Sequence, residues 1–201
     1  MLYGADLASY RGMQFGMNMA AAAKLSGTSP AEARTVHQRP AVIQEMDWRP
    51  RSSILADPMK EGMLSFFNGE LFRIVVTYDR YKVEGMTAQD MIDAISANYG
   101  AATRPTAEVA YHSIYGEVAA VVARWEDSQS TYNLVQTGDS FALVLYSKRL
   151  DALAQTAIVE AARLDTLEAP QREIDRQQKH DADGRLVLEK ARSVNRPNFR
   201  P

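Results

Sequence analysis

Residues 63–78 read MLSFFNGELFRIVVTY, and this stretch decides the fold. Asn68-Gly69 tolerates the positive φ angles of a tight two-residue turn, and apolar runs flank it on both sides, so the segment predicts a β-hairpin. Residues 131–146 read TYNLVQTGDSFALVLY and predict a second one: Thr131 to Thr137, a Gly138-Asp139 turn, then Phe141 to Tyr146. One more strand precedes each hairpin, Val42 to Arg49 and Glu117 to Trp125, the latter joined through the polar turn at 126–130. Such short connections make the six strands mostly antiparallel neighbours.

A helix precedes each set of three. In GMTAQDMIDAISANYG, Gly85 to Gly100, Thr87 and Asp90 form a capping box, in which each side chain can satisfy an unpaired N–H near the helix start. Ala88, Met91, Ile92, Ile95 and Tyr99 recur at helical spacing, and Gly100 supplies the stop. An earlier counterpart starts at Gly16-Met17-Asn18, with Asn18 as cap and an Ala-rich body ending near Gly27. Ser29-Pro30-Ala31-Glu32 is another capping box with Pro at the first position, and predicts a short helix to about Val36.

The order is therefore helix, three strands, helix, three strands. The two halves keep one offset: 85 − 16 = 69 for the Gly-Met before each helix, and 138 − 69 = 69 for the hairpin glycines. The same offset pairs Phe72 with Phe141, Val75 with Val144 and Arg80 with Arg149. This predicts an α+β fold of two αβββ repeats, about 16–84 and 85–150, forming one antiparallel sheet with both helices on one face. The repeat domain occupies 1–150.

Residues 151–201 form a C-terminal extension. Asp151 to Leu164 is Ala-rich with helical spacing. From Thr166 the chain is charged and nearly free of aromatic residues, with helix-opening Pro170, helix-breaking Asp183-Gly184 and a final Asn195-Arg196-Pro197. Leu186, Val187 and Leu188 are its main apolar cluster, suited to docking on the body or on a partner.

Across 201 residues, 46% are hydrophobic and 24% charged, which excludes wholesale disorder. A formal net charge of −2 is unlike the strongly basic footprint of a dedicated nucleic-acid binder. With no cysteine, disulfides, thiolate metal sites and cysteine nucleophiles are excluded. Met13 to Leu25, the nearest imitation of a signal core or spanning segment, is broken by Gln14, Gly16, Asn18 and Lys24. The expected compartment is thus cytoplasmic, or periplasmic or secreted if a leader has been removed.

No phosphate loop, dinucleotide fingerprint or hydrolase motif occurs. His37, His112 and His180 lack the spacing of a metal site. Asp90 reads as a cap, Asp93 as a solvated charge, and Met86, Met91 and Tyr99 as core. No catalytic residue, metal or cofactor is expected.

The sheet face away from the helices is more informative. Along 71–78, Phe72, Ile74, Val76 and Tyr78 are uniformly apolar and should face the helices, leaving Leu71, Arg73, Val75 and Thr77 on the mixed side. Phe141, Leu143 and Leu145 contrast in the same way with Ala142, Val144 and Tyr146, and Tyr132 and Leu134 with Thr131, Asn133 and Val135. Antiparallel sheets often leave one face wet. A face carrying Arg73, Thr77, Arg124, Asn133 and Tyr146, with Trp48 or Trp125 nearby, has the residue types enriched at binding hot spots.

The duplicated helix-plus-strands pattern, with Gly16-Met17-Asn18 and Gly85-Met86-Thr87 before its helices and Gly69 and Gly138 in its hairpins, resembles the beta-lactamase inhibitor protein-like architecture. More distantly, it is similar to small outer-membrane assembly lipoproteins of that shape. The resemblance covers about residues 10–150. It implies a non-enzymatic module that binds an unidentified protein through its sheet, often in the bacterial envelope. Inhibitor-type repeats usually carry disulfides, whereas this chain has no cysteine. The alternatives are a small-molecule-binding domain or enzyme with a cleft between the sheet and the C-terminal helices, and nucleic-acid contact through the tail.

Overall fold

Asn68 and Gly69 adopt φ of 48° and 85° and close the hairpin between β5 (Met59–Phe67) and β6 (Glu70–Tyr78). The structure, a computed structural model, describes residues 7–50, 57–104, 110–112, 118–198 and 200. Met1 to Asp6 and Glu117 lie outside the described residues. Before β5, the chain runs through β1 (Ser9–Tyr10), β2 (Met13–Gln14), α1 (Met19–Ser26), β3 (Arg34–His37) and β4 (Ile43–Trp48). After β6 come α2 (Ala88–Tyr99), β7 (Ala110–His112), β8 (Val118–Glu126), β9 (Ser130–Thr137), β10 (Ser140–Ser147) and α3 (Lys148–Asn195).

The helix caps form as the sequence predicts. Asn18 Oδ1 accepts from the Ala21 N–H at 2.9 Å, and Gly27 ends α1 at φ 74°. The Thr87 N–H donates to Asp90 Oδ2 at 2.7 Å, while Thr87 Oγ1 accepts from the Asp90 N–H at 3.2 Å. The helix expected from Ser29 to Val36 does not form. The Ser29 capping box is present but supports only a 3-10 turn, Pro30–Glu32, and the chain leaves it in extended backbone as β3. Ladder pairing of Arg34 and Thr35 with β4 outcompetes a helix too short to sustain itself.

Among the described residues, each repeat thus contributes four strands to the large sheet. The sheet order is β3-β4-β5-β6-β10-β9-β8-β7, antiparallel throughout, so the last strands of the two repeats meet at the centre. Val75 lies directly opposite Val144 across that seam. These two residues are also equivalent under the 69-residue offset (144 − 75). A position paired with its own repeat image marks an internal pseudo-twofold axis, which passes between the two valines. Trp48 and Trp125 occupy matching places, each on the third strand from the seam and paired with Gly62 and Tyr132 respectively.

The main core lies between the sheet and the two repeat helices. Ala22 and Ala23 of α1 and Met91, Ile92 and Ile95 of α2 join Met46, Leu64, Phe66, Ile74, Leu134 and Leu143 in one buried cluster. Leu71 belongs to this side and Phe72 to the other, the reverse of the expected alternation. A β-bulge explains the exchange. Ser65 pairs with Arg73 while Phe66 pairs with Leu71, so Phe72 is the extra residue and the alternation shifts by one before it. From Ile74 to Tyr78, and along β9 and β10, the alternation is as expected.

The chain divides into two units, Met1–Ile158 and Val159–Pro201. In the first, the opening turns of α3 pack on the sheet face opposite α1 and α2: Leu150, Ala154 and Ile158 meet Ile43, Phe72, Val36 and Phe67. In the second, α3 continues through Pro170 and Gly184 to Asn195, where the sequence predicts two interruptions. Ion pairs such as Arg163–Glu160 at 2.6 Å and Arg172–Glu168 at 2.9 Å support the exposed helix. Leu186, Val187 and Leu188 are exposed.

Candidate functional site

Strand pairing brings five of the seven expected face residues together. Arg124 pairs with Asn133, Asn133 with Val144, Tyr146 with Arg73, and Ala142 with Thr77, all on the face opposite α1 and α2. Trp48 and Trp125 do not join them. Both are buried on the helix side, because each lies one residue out of phase with the polar set of its own strand. Trp125 Nε1 donates to the Gly100 carbonyl at 3.0 Å and to Ser96 Oγ at 3.2 Å, tying β8 to the end of α2. Trp48 meets the Tyr10 ring edge-on, with centroids 6.4 Å apart.

Two of the remaining five are buried as well. Arg73 is 4% exposed and sits beneath the first turn of α3, where its Nε donates to Asp151 Oδ1 at 3.1 Å and its Nη2 to the same oxygen. Asn133 is 3% exposed, and its Oδ1 accepts from Arg124 Nε at 2.8 Å, which fixes the arginine across the sheet. Arg73 continues a polar row through Ser65 and Glu45, and Arg34 Nη2 reaches Glu45 Oε2 at 2.9 Å. Thr77, Arg124 and Tyr146 remain half-buried. The surface accessible on this face is smaller than seven residues, and it is centred on the second repeat.

That half has its own apolar cluster. Val121, Val135 and Val144 are buried together, with Val75, Ala119, Ala142 and Tyr146 half-buried around them. Among the described residues, no helix residue belongs to this cluster. The corresponding cluster of the first repeat has Leu150 and Ala154 from α3. α3 thus packs on the first repeat, and the valines of the second are buried within their own cluster.

A second concavity lies on the helix side, where the alternative of a cleft near the C-terminal helices does not place it. A pocket of about 430 Å³ opens beneath α2, at the end of the two seam strands. Met86, Met91, Ile95 and Leu143 line it with apolar surface, and Lys82, Arg11 and Tyr99 with polar groups. Arg11 is in the turn between β1 and β2, at φ 50° and followed by Gly12 at φ 83°. Its guanidinium donates to both oxygens of Asp57, at 2.7 and 2.9 Å. The hydrogen bond from Arg11 holds the Asp57 carboxyl below the usual carboxylate range, assisted by the Met59 N–H. Lys82 Nζ donates to the Asp57 carbonyl at 2.7 Å. Burial pushes the Tyr10, Tyr78 and Tyr99 phenols above their ordinary value.

Among these groups, the sequence reads Met86, Met91 and Tyr99 as core, the last two from helical periodicity. Nothing local singles out Asp151, Arg11, Asp57 or Lys82. The turn signal Arg11-Gly12 is visible in the sequence, but its ion-pair partner is 46 residues away.

No protein-family model, curated protein or solved structure matches this chain. Among the described residues, no group of three or more His, Asp or Glu side chains is arranged to hold a metal ion. No described helix is long and apolar enough to cross a membrane.

Proposed function

We propose that this chain is a non-catalytic protein-interaction module that binds its partner through the sheet face of the second repeat. The observation that carries this reading is an apolar cluster on that face with an accessible rim. Val121, Val135 and Val144 are buried at its centre, and no described helix residue belongs to it. Half-buried Val75, Ala142 and Tyr146 provide an apolar strip, and Thr77 and Arg124 a polar border. Tyr and Arg are enriched where binding energy concentrates, and a rigid sheet loses little entropy when a partner docks. Arg124 is further pre-positioned by Asn133. The resemblance to inhibitor-like repeats supports the same mode of binding, and a bacterial-envelope location is part of this proposal.

Site-specific photocrosslinking tests it. A photoreactive amino acid at Ala142, and a control at exposed Gln89 on α2, are introduced into the full chain in its native cell. The expected result is a discrete adduct from position 142 that disappears with Arg124→Glu. Equal labelling from both positions, or an adduct unaffected by Arg124→Glu, overturns the reading.

A further inference from the structure

We propose that the pocket beneath α2 binds a small amphiphile with an apolar body and a single anionic head. The site is on the helix side of the sheet, so it stands independently of the protein-binding face. Its volume, about 430 Å³, falls in the range of about 300–1,000 Å³ typical of small-molecule sites. Its chemistry is divided in the way such a ligand requires. Met86, Met91, Ile95 and Leu143 offer an apolar surface, and thioether side chains adapt to irregular shapes.

The polar end carries two cations, Arg11 and Lys82. Arg11 is paired with Asp57, and Asp79 lies on the other side of Lys82, its Oδ1 accepting from the Lys82 backbone N–H at 3.3 Å. Both Asp57 oxygens are engaged by Arg11, and one also accepts from the Met59 N–H at 3.0 Å. The Lys82 ammonium spends one N–H on the Asp57 carbonyl and, with three donors in all, has two more for an incoming anion. Tyr99 lines the same space with a neutral phenol, which can donate to a carboxylate or sulfonate without adding negative charge. The Lys82 ammonium, which donates to a neutral backbone carbonyl, matches one anionic head. A dianion would leave charge unpaired, and a cation would be repelled.

The test uses the full-length protein and three ten-carbon probes of equal chain length: decanoate, decanol and decylammonium. Each competes with the fluorescent aromatic monoanion 8-anilinonaphthalene-1-sulfonate. The expected result is one saturable site per chain, with decanoate at least tenfold tighter than decanol and decylammonium weakest. Lys82→Gln should remove the tenfold preference for decanoate while decanol binding stays. Ala94→Trp, a change at an exposed helix position that lines the pocket, should block all probes while the helical signal and urea midpoint stay as in the wild type. The proposal is overturned by absence of saturable binding, by equal affinity for decanoate and decanol, or by a preference that survives Lys82→Gln. Undiminished binding in folded Ala94→Trp, which would place the probes elsewhere, also overturns it.

Discussion

Arg73, at the centre of the sheet, and Asp151, in the first turn of α3, form a buried ion pair that ties the start of the C-terminal extension to a strand of the first repeat. The two residues are 78 positions apart. Their side chains are 5% and 16% exposed, so the pair is held in a poorly solvated site. Asp151→Ala is expected to cost about 3 kcal/mol, since it removes one member of a buried, hydrogen-bonded ion pair. Arg73→Met combined with Asp151→Leu should recover most of that loss. Urea denaturation of the two variants and the wild type checks this, and a double variant less stable than Asp151→Ala would refute it.

Gly62 and Gly184 should respond to alanine in opposite directions. A Cβ at Gly62 would stand 3.1 Å from Trp48 Cε3 and 3.3 Å from the Val75 carbonyl, both in a packed region. Gly62→Ala should therefore destabilise the first unit by ~1–3 kcal/mol through overpacking. Gly184 lies in exposed helix, where an added methyl would meet nothing within 4 Å, and Gly184→Ala should favour the helical state by about 1 kcal/mol. Circular dichroism through urea titrations reads both changes.

Asp57 should give the protein an acid-sensitive contribution to stability. Its folded pKa is depressed, first by the Arg11 hydrogen bond, below an unfolded value of about 3.9. The unfolded state then takes up the proton first as pH falls. The contribution is complete above that unfolded value and is lost as pH drops through the folded one. The wild type should exceed Asp57→Asn in urea midpoint at pH 7, and the gap should narrow below about pH 4. A gap that stays constant to pH 2 would contradict the prediction.

The tyrosines have the opposite linkage. Tyr10, Tyr78 and Tyr99 have folded pKa values raised chiefly by burial. Their stabilising contribution is present below the unfolded value near 10 and declines as pH rises through the folded values. Spectrophotometric titration should show part of the phenolate absorbance appearing together with unfolding, and 8 M urea should bring that part to lower pH.

Both tryptophans should behave as buried indoles. Trp48 is 7% and Trp125 2% exposed, so emission should be blue-shifted and poorly quenched by acrylamide in Trp48→Phe and in Trp125→Phe, each of which isolates the other. Trp125→Phe should also lower stability by ~1–2 kcal/mol, because the Gly100 carbonyl and Ser96 hydroxyl lose their shared donor. Quenching close to that of a free indole in either variant would contradict the burial.

Local chemistry is readable wherever its partners are near in sequence. The Asn18 and Thr87–Asp90 caps, the Asn68-Gly69 turn and the alternation of β9 and β10 all depend on residues within a few positions of one another. The edge strands β3 and β7 are not readable. They have four and three residues, too few for a period-two pattern, and exist because β4 and β8 offer a ladder to pair with. Alternation puts Phe72 on the wrong face for a related reason. The bulge that moves it is a mismatch between two strands, and neither strand encodes it alone.

The candidate face shows the same division. Alternation correctly groups Arg73, Thr77, Arg124, Asn133 and Tyr146, but their exposure depends on what lies above them. By itself, the sequence determined an α+β chain of two repeats with an antiparallel sheet and a helical C-terminal segment, because capping, turn geometry and periodicity are local. Only the tertiary structure decided that the repeats meet at Val75 and Val144, that Asp151 buries Arg73, and that the start of α3 packs on Ile43 and Phe72. Those outcomes come from contacts between distant residues, where the cost of burying a charge or an apolar side chain depends on its neighbour in space.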